Sequence, residues 1–84
     1  MSELLNPENL QMVKRSNDNF EWFVKHYDEL KLKHKKKYIA VDNANVIAED
    51  TDLTRLIEFL DKEFTDRRAI LIQYMPEKDY LAIS

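Results

Sequence analysis

Not one of the 84 residues is glycine, although average usage would supply about six. Glycine enters left-handed backbone without steric cost, so tight turns in this chain must run on asparagine, aspartate or another residue with a side chain. The same zero excludes the phosphate-cradling loop, the dinucleotide fingerprint and the nucleophile elbow as they are normally built. Cysteine is also absent, which excludes disulfides, thiolate zinc sites, iron–sulfur clusters and a cysteine nucleophile. A chain of this length holds one domain and one modest core, burying about 64% of its unfolded surface.

The net charge of −3 is unevenly spread. Residues 1–37 carry eight Lys/Arg against six Asp/Glu, and residues 38–84 carry five against ten. The basic excess lies mostly in Lys31–Lys37. There Lys33, Lys35, Lys36 and Lys37 are candidate polyanion contacts, with Tyr38 beside them for stacking on a base. Cations in the last turn of a helix are the simpler explanation of the run, because they complement its dipole and the acidic pI near 5.3 argues against a nucleic-acid footprint. No apolar run approaches 18 residues, so no membrane span is expected. Met1–Asn6 lacks the basic start and apolar middle of a signal peptide, and a cytoplasmic location is the expectation.

Along the chain, Asn6, Pro7 and Glu8 make a favourable helix start, with Leu5 and Leu10 at the spacing of a hydrophobic staple. Ser16-Asn17-Asp18-Asn19 reads as a break, since all four side chains compete for local backbone groups. Asp18 and Glu21 then resemble a capping box. This divides the chain into an N-terminal helical extension, 1–17, and a small α+β domain, 18–84. A single helix from Pro7 to His34 is the alternative, in which Val13, Phe20 and Tyr27 keep a seven-residue phase. In the helix from about Asn19 to Lys33, Phe20, Phe23, Val24, Tyr27 and Leu30 form the expected core stripe. Trp22 lies off that stripe, with His26 as its neighbour one turn on.

Tyr38–Val41 and Val46–Ala48 read as two strands of a hairpin, joined at Asp42-Asn43-Ala44-Asn45. Asn43 or Asn45 is expected at positive φ. Glu49-Asp50-Thr51-Asp52 supplies helix caps, and Leu53, Leu56, Ile57, Leu60 and Phe64 mark the clearest amphipathic helix. Ala69–Met75 is the strongest strand, and Tyr80–Ile83 is a short apolar tail. The expected sheet has order 2-1-3, with the helices on one face. Ile39, Val41, Ile70, Ile72 and Tyr74 would face them; Tyr38, Ala40, Leu71 and Met75 would face away.

Trp22, Glu29-Leu30, Lys37–Val41, Asn43–Asn45, Val46–Ala48 and Leu53–Leu60 follow one another in a pattern that resembles a small domain family of unknown function, widespread in bacteria and archaea. The resemblance covers Phe20 to about Met75. It implies a prokaryotic protein with a helix–hairpin–helix–strand fold, and it carries no activity.

The chemistry-bearing residues form no catalytic set. His26 and His34 stand eight apart, not at the i, i+4 spacing of a helical metal pair. The acidic knot at Glu49, Asp50 and Asp52 lacks the alternate ligand spacing of a calcium loop. Asp42 is the most site-like carboxylate, and turn initiation is sufficient to explain it. No cofactor, metal or small-molecule substrate is expected. The third strand has no charge after Arg68 and lies at a sheet edge, which is a template for pairing. The expected function is therefore a non-enzymatic module that binds itself, as a homodimer through its third strand or open sheet face, or another protein. Its candidate contacts are Tyr38, Leu71, Gln73, Met75 and Trp22. A nucleic-acid or polyanion-binding module using Lys31–Lys37 is the alternative.

Overall fold

The computed structural model describes residues 7–77. The elements run α1 Pro7–Lys25, α2 Tyr27–Lys33, β1 Lys37–Asp42, β2 Asn45–Asp50, α3 Leu53–Glu63 and β3 Leu71–Met75. The Asn6 cap, the Leu5 staple and the Tyr80–Ile83 tail lie outside the described residues. The three strands form one sheet of order β2-β1-β3, with β1 central and antiparallel to both neighbours. This is the α+β architecture and strand order read from the sequence.

The helix break is not where the local sequence places it. α1 runs without interruption through Ser16–Asn19 and across residue 17, and the interruption comes at His26. Asn19, which could have capped a new helix, is instead buried and bonded to distant partners. At Asn19, tertiary hydrogen bonds have replaced the local ones that make asparagine a helix breaker. The core stripe shifts as a result. Phe23 and Leu30 are buried, while Phe20 and Val24 are exposed and Trp22 packs on the core.

The helices also cover both faces of the sheet rather than one. Ile39, Val41 and Met75 pack with Phe23 and Leu30, with Leu71 and Val46 alongside. Ala40 packs with Leu56, Leu60 and Ile70, with Tyr38, Ile72 and Ala48 alongside. Alternate residues of β1 thus serve opposite half-cores, as strand geometry requires. Register explains the error. Ile39 pairs with Gln73 and Val41 with Leu71, so Leu71 and Met75 share the Ile39 face; a one-residue slip inverts every such assignment. In β2 the register shift between Ala40 and Val41 leaves Ile47 as an extra residue. That bulge lets Val46 serve one half-core while Ile47 and Ala48 serve the other.

Asp52 caps α3 by accepting from the backbone N–H groups of Thr54 at 2.9 Å and Arg55 at 3.3 Å. The hairpin turns on Asn43 (φ 52°) and Ala44 (φ 59°), the two left-handed residues of a type I′ connection. Asn43 meets the expectation, and Asn45 instead donates its amide to the Asn43 carbonyl at 3.0 Å. Ala44 occupies the place where glycine is favoured, at a cost of roughly 1–2 kcal/mol. Ala44→Gly should therefore stabilise the fold by about 0.5–1 kcal/mol, the released strain less the added unfolded-state entropy. Urea denaturation checks it, and a lower midpoint would contradict the strain at this turn.

Candidate functional site

α1 places Arg15, Asn19 and Trp22 on one side, with His26 just past its end continuing that side, at the helical i, i+4 and i, i+3 spacings that bring side chains together. That side faces the hairpin. Asp42, the last residue of β1, is 3% exposed. Its Oδ1 accepts from Arg15 Nε at 2.9 Å and from Asn19 Nδ2 at 2.9 Å, and its Oδ2 accepts from Arg15 Nη2. The Asn19 amide also donates to the Ala69 carbonyl at 2.8 Å. One carboxylate thus joins α1 to the hairpin, and one amide extends the link to the segment before β3. Arg15 and Asn19 are the residues that sequence reasoning misses. The only signal for them is their i, i+4 spacing, since Asp42 lies 27 and 23 positions away.

The Arg15 guanidinium holds the Asp42 carboxyl below the usual range, helped by Asn19 and the Asn43 backbone and opposed by burial. Asp42 in turn raises Arg15. On the exposed surface, the side chain and backbone N–H of Arg68 draw Asp66 down to about 2.

A cleft of about 750 Å³ runs between α1 and the hairpin tip, lined by Lys14, Asp18, Trp22, Lys25, His26 and Asn43 among others. Its floor is the Trp22–His26 stack, with ring centroids 4.5 Å apart and planes at 26°. His26 Nδ1 lies 2.8 Å from the Trp22 carbonyl. A carbonyl only accepts, so that nitrogen donates and the ring is fixed over the indole. The cleft mixes both signs of charge. Among the described residues no three His, Cys, Asp or Glu side chains converge as metal ligands.

The candidate contacts do not form one surface. Met75 is fully buried and Leu71 packs against the same half-core, so neither contributes an apolar surface patch; the face assigned to solvent is covered by α1 and α2. Tyr38 packs on the opposite half-core and meets Tyr74 at 4.9 Å. Gln73 is half-buried, and Trp22 belongs to the cleft floor.

The basic segment is threaded with carboxylates. Lys33 pairs with Glu29 at 2.9 Å, Lys37 with Glu49 at 2.6 Å and Lys36 with Glu77 at 3.6 Å, while Lys35 is exposed. Lys31 lies over the Tyr27 ring. His34 Nδ1 sits 2.8 Å from Glu49 Oε2, close enough to pair when charged but out of line for a hydrogen bond. Lys37 is the main influence holding Glu49 below its usual range.

Residues 29–78 match the model of a family of unknown function, DUF5678. The chain belongs to that family. The matched residues begin within α2, so Asp42 and Ala69 lie inside the match, while Arg15, Asn19 and the whole of α1 precede it. No curated protein and no solved structure matches the chain. Among the described residues no helix is long and apolar enough to cross a membrane.

Replacing Asp42 removes a buried charged acceptor from the Arg15 guanidinium and the buried Asn19 amide. Asp42→Asn should cost about 2–3 kcal/mol at neutral pH. Because the folded carboxyl titrates below its unfolded value near 4, its stabilisation is present above about pH 4 and is lost as pH falls through the folded value. The gap between wild type and variant should therefore narrow below about pH 4 in thermal denaturation. A gap that stays constant down to pH 2 would show that Asp42 is not ionised in the fold.

Proposed function

We propose that this chain is a small, non-enzymatic interaction module of the cytoplasm that associates with a second copy of itself. The outer face of α1 carries this reading. Leu10, Val13, Phe20 and Val24 are 51%, 48%, 53% and 55% exposed. At 100° per residue they fall within an arc of about 80°, while Arg15, Asn19 and Trp22 point to the opposite side and Phe23, on the flank between, packs on the body of the protein. Singly exposed apolar side chains, such as Leu32 and Phe59, are ordinary. Four on one face of one helix, in two pairs either side of Asn17, make a row characteristic of a contact surface.

Two further observations favour this reading. Asp42 is already engaged by Arg15 and Asn19, so it presents no free carboxylate to a substrate. The carboxylates beside Lys33, Lys36 and Lys37 reduce the positive field that a polyanion would need. The proposed contact surface is thus α1, and not β3 or an open sheet face.

Sedimentation equilibrium tests the proposal up to about 1 mM, where even an association of about −4 kcal/mol registers. Wild type should approach twice the monomer mass. The double variant Phe20→Glu, Val24→Glu should remain monomeric, with an unchanged thermal midpoint at dilutions where the wild type is also monomeric, because both side chains are exposed. A wild type that stays monomeric throughout would rule the proposal out.

A further inference from the structure

We infer that the second copy packs antiparallel along α1 in a single register, with Lys14 of each copy beside Glu21 of the other. This rests on the self-association proposed above. The stripe has the seven-residue phase of a coiled-coil seam. Leu10, Asn17 and Val24 repeat at one seam position, and Val13 and Phe20 repeat at the other. α1 has 19 residues, about 28 Å of helix, long enough for this seam.

The flanks of the stripe decide the direction. Lys14 and Glu21 lie on one flank, both exposed and without an ion pair among the described residues. The other flank holds Ser16 and the buried Phe23. In a parallel pair, each charged flank would meet the uncharged flank of its neighbour. In an antiparallel pair, charged flank meets charged flank, and the two helix dipoles run head to tail.

The charges then select the register. With Val13 opposite Val24 of the second copy, and Asn17 opposite its Phe20, Lys14 comes within about 3 Å along the axis of the other Glu21. The two-fold axis makes this pair twice. A slip of one heptad in one direction sets Lys14 against Lys14, and in the other sets Glu21 against Glu21. Both alternatives are repulsive, so the pattern disfavours them as well as favouring the paired register. Arg15, Asn19 and Trp22 point away from this seam and the buried Phe23 stands at its uncharged flank, so the two bodies lie outside the helix pair. A two-fold contact of this kind closes at two copies and does not propagate.

Two experiments on the full chain test the geometry. Lys14→Glu or Glu21→Lys alone should raise the dimer dissociation constant about tenfold, and the two together should restore it. Because the chain has no cysteine, single reporters are unambiguous. A mixture of Val13→Cys and Val24→Cys proteins should form the mixed disulfide on mild oxidation, and neither alone should cross-link. Self-cross-linking of either variant in a dimeric protein overturns the antiparallel geometry and leaves self-association standing. A monomer whose α1 face is protected by residues 78–84 overturns both.

Discussion

Asp42 ends β1 with its carboxylate buried, and three segments are tied to it. Arg15 and Asn19 bring α1 to the hairpin, and the Asn19 amide carries the link on to Ala69, just before β3. Burying a carboxylate is costly unless it is paired and hydrogen-bonded, and here both oxygens are engaged. The orientation of α1 follows from that pairing. With Arg15 and Asn19 held toward the sheet, the helix has no freedom in which side it turns outward. The length of β3 follows as well. Asn19 takes the Ala69 carbonyl, residues 67–70 form a turn closed by Ile70 N–H to the Arg67 carbonyl at 3.0 Å, and the strand starts at Leu71 instead of Ala69.

This network also marks where the sequence stops being readable. Element order, strand pairing and the 2-1-3 sheet are legible because they depend on local periodicity and short connections, as in Leu53–Leu60 and the Asn43–Ala44 turn. The Trp22–His26 stack is legible for the same reason, being one helical turn apart. The Arg15–Asp42–Asn19 cluster is not, since nothing local distinguishes an asparagine that breaks a helix from one that reaches a distant carboxylate. The faces of α1 fail differently. Phe20 and Val24 share a helical spacing with Phe23, Tyr27 and Leu30, so the helix has two overlapping apolar stripes. Periodicity reveals both stripes but does not say which one the body of the protein covers. The sheet faces invert for a related reason, since Leu71 and Ile72 are equally apolar and only the register separates them.

The family match and the helix face divide the molecule unevenly. The hairpin, α3 and β3 all lie within the matched residues, whereas α1, with its exposed row of Leu10, Val13, Phe20 and Val24, precedes them. The hold on α1 is therefore shared between residues inside the match, Asp42 and Ala69, and residues outside it, Arg15 and Asn19. A fold of this size has little core to spare, so an added helix needs such a polar anchor as well as Phe23.

Trp22 gives this arrangement an optical consequence. It is the only tryptophan, it stacks on His26, and it packs on the half-core that α1 and α2 share with the sheet. Its emission therefore reports the seating of α1. The Tyr38–Tyr74 pair belongs to the opposite face, where Tyr38 packs on the half-core of α3. Trp22 thus gives the α1 side of the sheet a chromophore of its own, through which loosening of the helix can be watched.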